Sequence, residues 1–133
     1  MKYMLDTNIC IYVIKQKPQK VFRHLLEMDP TDICISSVTY AELIYGVEKS
    51  AAVERNRLAL SLLLSGIEIR DFDTRAADEY GSIRANLERR GTPIGPLDMM
   101  IAGHAKSLGL TIVTNNEKEF MRVKGLKVEN WAE

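Results

Sequence analysis

Three short apolar runs, Tyr3-Met4-Leu5, Ile33-Cys34-Ile35 and Leu110-Thr111-Ile112-Val113, most constrain what this chain can fold into. None alternates strictly between apolar and polar side chains. Each therefore needs cover on both faces, as strands of a parallel sheet have when helices lie above and below them. The segments between these runs are long enough for helices and carry helix punctuation. The pattern is an α/β fold: three layers, α/β/α, with a mostly parallel central sheet, in a single domain over residues 1–133.

The expected elements follow from local signals. Residues 2–5 form the first strand, and a helix runs from Ile9 to Lys17, stopped before Pro18. Pro18 opens a second helix reaching Met28. Asp32 to Ile35 is the second strand, after which Ser36 or Ser37 caps the helix that carries Glu42. A leucine-rich helix over 52–65 ends at Gly66, and strand 67–69 follows. Asp73 or Thr74 caps a long helix to Arg90, closed by Gly91. The Gly/Pro-rich loop 91–96 leads to a helix from Pro96 to Leu108. Strand 110–113 comes next, and Lys127-Val128 hints at a last strand.

Three acids then stand where solvated side chains are not expected. Asp6 ends the first apolar strand. Glu42 is the only charge between Ser36 and Val47, and Asp98 leads into Met99-Met100-Ile101-Ala102. On its helix Asp98 shares a face with Ile101, Ala102 and Ala105, so it points the way the apolar stripe points. Glu42 shares a face with Val38, Tyr45 and Gly46. Taken singly, Asp6 could be a helix cap, Asp98 a helix-dipole partner and Glu42 half of an ion pair. Ligands of open parallel sheets bind at the carboxyl ends of the strands, where all three acids and Thr114-Asn115-Asn116 would converge. Carboxylates crowded together at a buried rim are costly unless a divalent cation neutralises them, which points to a metal-dependent hydrolase.

Other chemistries find little support. Net charge is zero, from 18 basic and 18 acidic side chains, so any hold on RNA or DNA must come from a local basic patch. Cys10 and Cys34 lie in apolar segments without metal-ligand spacing, which suits reduced core residues of a cytoplasmic protein. No apolar run approaches the ~18 residues of a membrane span, and the first six residues do not read as a signal peptide. His104 lies roughly 240° around its helix from Asp98, and His24 has no partner motif, so neither is expected in a metal or general-base role. There is no Walker-type phosphate loop and no nucleophile elbow.

Taken in order, Met4-Leu5-Asp6-Thr7-Asn8, Ser36-Ser37-Val38-Thr39-Tyr40-Ala41-Glu42-Leu43, Gly95-Pro96-Leu97-Asp98-Met99-Met100-Ile101-Ala102 and Ile112-Val113-Thr114-Asn115-Asn116 resemble the PIN-domain ribonucleases. The closer resemblance is to the VapC toxins of bacterial type II toxin–antitoxin pairs, and it covers essentially the whole chain. It implies a PIN-like fold and a site-specific endoribonuclease in which Asp6, Glu42 and Asp98 ligate Mg²⁺ or Mn²⁺, one or two ions, directly or through water. Water would then attack the phosphodiester, leaving a 3′-hydroxyl and a 5′-phosphate. Thr7, Asn8 and Thr114 would orient ligand oxygens, with Asn8 equally well a turn or cap residue.

The chain departs from the broader family at Asn116, where many PIN domains carry a fourth acid. Asn116 coordinates weakly at best, and Glu119, about one turn on, replaces it if that segment is helical and turned inward. RNA contacts are expected from Arg84, Arg89 and Arg90 before the Gly/Pro loop, and from Lys118, with Arg122, Lys124 and Lys127, after Asn116. Arg84 can instead form a plain i,i+4 pair with Glu88.

The resemblance also implies partners. They are a cognate VapB-type antitoxin whose tail blocks the acidic groove with a basic side chain, a homodimer, and operator DNA reached only through the antitoxin. Tyr12, Val13, Phe22, Leu25, Leu26, Leu60 and Leu63 are the apolar side chains that would receive the antitoxin if they are not core. The implied substrate is a tRNA anticodon loop, with initiator tRNA singled out and translation inhibited as a result. The competing reading, based on Asn116, is a non-catalytic module that binds antitoxin and acts in operator-DNA autoregulation. A small-molecule phosphohydrolase is a weaker third, because Asp6-Thr7-Asn8 lacks the second acid of an Asp-x-Asp nucleophile.

Overall fold

The computed structural model describes residues 1–132. In chain order the elements are β1 (Tyr3–Leu5), α1 (Thr7–Lys15), α2 (Gln19–Leu26), β2 (Ile33–Ser36), α3 (Ser37–Glu48), α4 (Val53–Leu64) and β3 (Glu68–Arg70). They continue with α5 (Thr74–Arg89), α6 (Pro96–Ser107), β4 (Thr111–Val113), α7 (Glu117–Phe120) and β5 (Lys127–Glu129). All five strands are parallel, in the order β3-β2-β1-β4-β5. The expected mostly parallel sheet is therefore parallel throughout. Strand order reverses between β1 and β4, where Leu5 stands opposite Val113, and such a switch point opens a cleft beyond the strand ends.

The central strand divides two cores. Met4 packs on one side with Ile83, Leu87, Ile101 and Ala105 of α5 and α6. Leu5 packs on the other with Ile9, Leu43 and Leu60 of α1, α3 and α4. Both residues are fully buried, as are Ile33, Ile35, Ile112 and Val113. Each such side chain contributes on the order of 1.5–3 kcal/mol relative to exposure. The inner strands β1, β2 and β4 are only three or four residues long, but most of their side chains are buried, whereas the edge strands β3 and β5 are largely exposed. Cys10 and Cys34 are buried free thiols within these cores, and burial pushes the Cys34 thiol up to about 12.

Several boundaries differ from expectation for identifiable reasons. Helix α1 starts at Thr7 rather than Ile9 because the Asp6 side chain caps it, accepting from the Ile9 amide. It ends at Lys15 rather than Lys17, because Gln16 turns into the left-handed region at φ 56°. Helix α2 is shorter than expected at both ends, with Pro18 in the cap position. Ser36 caps α3 through the Val38 amide, and Asp73 caps α5 through the Ala76 amide. Of the side chains expected to receive a partner, Val13 (6% exposed) and Leu60 (2%) belong to the core and have no surface to offer. Leu26 is exposed, together with Leu58 and Leu62 of α4, so the exposed apolar surface of these helices lies at their outer positions. Among the described residues no helix is long and apolar enough to cross a membrane.

Helices α5 and α6 pack closely at one point. A Cβ on Gly103 would stand 2.8 Å from the Tyr80 amide nitrogen and 3.2 Å from the Ala76 carbonyl oxygen. These are backbone atoms and cannot turn aside, so Gly103→Ala must push apart the helix that carries Asp98. We expect a loss of about 2–3 kcal/mol in urea unfolding; a loss below about 0.5 kcal/mol would show that the helices separate freely.

Candidate metal centre

Asp6 is held at the carboxyl end of β1 with 3% of its surface exposed. Its Oδ1 accepts from the Ile9 amide at 2.9 Å, and its Oδ2 accepts from Thr114 Oγ1 at 2.5 Å. The hydroxyl of Thr114, itself fully buried just beyond β4, in turn accepts from the Asn116 amide at 2.9 Å. One carboxylate thus joins the ends of β1 and β4 to the start of α1. Each of its oxygens keeps a further lone pair for a cation.

Glu42 reaches the same rim from the second turn of α3. Thr7 Oγ1, the first residue of α1, donates to Glu42 Oε1 at 2.6 Å. Asp98 comes from the first turn of α6, where its face-sharing neighbours Ile101, Ala102 and Ala105 are all fully buried. Gly95 lies beside it: a Cβ there would stand 3.4 Å from Asp98 Oδ2, an ordinary contact. Glu119 joins from α7: its Oε2 accepts from Asn116 Nδ2 at 2.8 Å, and its charge reaches Asp98. The segment after Asn116 is thus helical and turned inward.

The electrostatics show how poorly these charges suit each other. Burial, together with the nearby charges of Asp98 and Glu42, raises the Asp6 pKa to about 6 against the lowering by its hydrogen bonds to Thr114 and Ile9. Burial and the charges of Glu42 and Glu119 likewise push Asp98 up. None of the ion pairs among the described residues involves Asp6, Glu42, Asp98 or Glu119. The acids face one another without a cationic side chain to offset them.

Whether an ion fits is decided by the donor set. All four candidates offer carboxylate oxygen, the donor of hard cations. Among the described residues no three His, Cys, Asp or Glu side chains are grouped tightly enough to enclose an ion by themselves. The donor set, all oxygen, is the kind that hard cations such as Mg²⁺ and Mn²⁺ take, and Mg²⁺ in particular keeps several of its waters.

The other residues singled out in the sequence divide between the site and its surroundings. Asn8 is exposed and lines a groove of about 820 Å³ together with Thr7, Glu42, Tyr45, Phe72 and Met100. Arg84 is tied to Glu88 Oε2 at 3.4 Å and to the Tyr80 hydroxyl at 2.7 Å, the pairing that the i,i+4 spacing allowed. Arg90 donates to the Arg122 carbonyl, and Arg122 to the Pro93 carbonyl, while Arg89 and Lys118 are exposed. His104 is turned away from the acids, its Nδ1 2.8 Å from Ser36 Oγ. Sequence reasoning passed over Asn115, whose Nδ2 donates to the Tyr12 hydroxyl at 2.5 Å and ties the end of β4 to α1. Its position beside Thr114 was the available signal.

Known proteins resemble this chain over nearly its whole length. The family model described as PIN domain matches residues 3–126. The chain is 52% identical over 132 residues to the tRNA(fMet)-specific endonuclease VapC of Salmonella typhimurium, covering 99% of each. It is 54% identical over 132 residues to the protein of the same name from Shigella flexneri, again covering 99% of each. Among solved structures, DNA-bound VapBC from Salmonella typhimurium superposes with a TM-score of 0.93 at 52% identity over 98% of both chains.

The raised pKa of Asp6 fixes the sign of a pH effect in metal-free protein. A carboxyl that binds its proton more tightly when folded stabilises the fold below the ordinary 3.8, and that contribution is lost as pH rises through about 6. The size is roughly 3 kcal/mol. Asp6→Asn keeps the helix cap but removes the charge. Its Tm in EDTA should therefore exceed wild type by roughly 5 °C or more at pH 7.5 and converge with it below pH 4. A variant Tm equal to or below wild type at pH 7.5 would show that Asp6 serves structure alone.

Proposed function

The chain belongs to the PIN-domain family, among its VapC members, and on that premise we propose that it is a toxin whose activity is metal-dependent, site-specific cleavage of RNA. The observation that carries this reading is the convergence of Asp6, Glu42 and Asp98 from three separate elements on one rim of the sheet, with no cationic side chain among the described residues paired to any of them. We assign Asp6, Glu42 and Asp98 to holding Mg²⁺ or Mn²⁺. Glu119 supplies the fourth negative charge that Asn116 does not, and Asn116 holds the Glu119 carboxylate in place. A cation held there would neutralise charge on the scissile phosphate and acidify a water, and in-line attack by that water would leave 3′-hydroxyl and 5′-phosphate ends.

The chain's own residues prepare that chemistry. The Ile9 amide and Thr114 hydroxyl fix both oxygens of Asp6, and Thr7 fixes Glu42, so that the carboxylates do not have to be ordered when an ion arrives. Near or below pH 6 Asp6 must give up its proton as a cation binds, since its pKa is raised to about 6. The inward Glu119 favours a working centre over the non-catalytic module to which Asn116 alone would point.

The relatives' printed name, tRNA(fMet)-specific endonuclease, supports initiator tRNA as the target, and the anticodon loop is our reading of where the cut falls. Their solved complexes support a VapB-type antitoxin as partner, with operator DNA reached through it. Homodimerisation and a cytoplasmic site of action belong to the same reading; the buried reduced cysteines fit the latter.

The test is incubation of purified, antitoxin-free protein with total bacterial RNA and Mg²⁺ or Mn²⁺, with products mapped by end sequencing. We expect one discrete cut in a tRNA, lost in EDTA and reduced at least about 100-fold in Asp6→Asn, Glu42→Gln and Asp98→Asn. Near-normal turnover in any two of these folded variants would remove the assignment.

A further inference from the structure

A second polar recess, of about 210 Å³, lies between α5, α6 and the turn after α7. Arg89, Lys106 and Lys124 line it with two neutral hydrogen-bonding side chains, Ser82 and Asn86, over a floor that includes buried Leu87. Lys106 is laid across the turn: a Cβ on Gly125 would stand 3.3 Å from its Cε, and Gly125 sits at φ +79°. The one acid paired to any of these cations is Glu79, 3.7 Å from Lys106 Nζ; among the described residues Arg89 and Lys124 have no ion pair. Arg90 and Arg122 nearby donate to backbone carbonyls rather than to carboxylates, so their charge is not offset either. In a chain of zero net charge, this is a concentrated positive surface.

The recess is also placed to matter. Lys106 follows Asp98 by eight residues on α6, a rise of about 12 Å. The turn carrying Lys124 follows α7, which brings Glu119 to Asp98. Cationic groups and neutral donors around a small polar hollow suit a phosphodiester, and an RNA strand cleaved at the acids must continue past them in some direction. We propose that this recess seats a backbone phosphate of the substrate RNA a few nucleotides from the cleaved bond. The proposal rests on the ribonuclease reading above.

The test is fluorescence anisotropy of labelled bulk tRNA binding to Asp6→Asn protein, which leaves the RNA intact, over a series of salt concentrations. To the Asp6→Asn parent we add either R89Q/K106Q/K124Q in the recess or K20Q/R23Q/R55Q on α2 and α4, so that both variants lose the same charge. We expect the recess variant to bind at least tenfold more weakly at about 150 mM salt, with a log-log salt slope shallower by about 2, and the α2/α4 control to stay within twofold of the parent. K106Q alone should weaken binding in the same direction, and K106R should restore it, which keeps the test open if the triple variant folds poorly. If the parent binds tRNA and the recess variant binds equally well, or if both triple variants weaken alike, the recess proposal falls and the ribonuclease reading stands. If the parent does not bind tRNA at all, the recess proposal falls, while the ribonuclease reading is decided separately by the cleavage of total RNA.

Discussion

The carboxylate of Asp6 connects three parts of the molecule. One oxygen starts α1 and the other is held by Thr114 at the end of β4, while its backbone amide bonds to the Val113 carbonyl. The switch point of the sheet is thus closed by a group that must also carry charge. Burial makes that charge costly, and two further acids nearby increase the cost. Two apolar cores, one on each face of β1, hold the arrangement in place against this repulsion. The fold supplies the stability, and the site uses some of it to keep like charges together.

The supporting contacts share a logic. Thr7 and Thr114 flank the site, one at the first position of α1 and one beyond β4, and each places a hydroxyl on a carboxylate oxygen. Neither brings positive charge, so neither neutralises the acids. A lysine or arginine in either place would satisfy the carboxylates and leave nothing for a cation to do. Glu119 strengthens the same design from α7, adding negative charge beside Asp98 where Asn116 adds none. Cationic side chains gather around the turn after α7 and the end of α5, and Lys49 lines the groove that holds Glu42 without pairing to it.

Much of this was legible in the residues. Short apolar runs marked β1, β2 and β4 because a strand buried on both faces has no polar alternation to disguise it. The phase of Asp98 against Ile101, Ala102 and Ala105 was readable because α6 is regular, and those neighbours are fully buried. Boundaries were less legible where one residue serves two purposes: Asp6 was read as the end of a strand and also caps α1, which moves the helix start back to Thr7. Val13 and Leu60 were left open between core and partner surface because an apolar helix face looks the same whether the chain or a partner covers it. Helix α7 has only four residues, too few for periodicity to show, so the inward turn of Glu119 required coordinates.

The central claim is that the clustered acids await a divalent cation. The measurement that tests it most directly is calorimetric titration of Mn²⁺ into metal-free protein at pH 6 and pH 8, in buffers of differing ionisation enthalpy. With the Asp6 pKa raised to about 6, binding at pH 6 should release a substantial fraction of a proton, and binding at pH 8 almost none. Asp6→Asn should weaken Mn²⁺ uptake itself at both pH values. Folded protein that takes up no Mn²⁺, or takes it up with the same proton release at both pH values, would contradict the account.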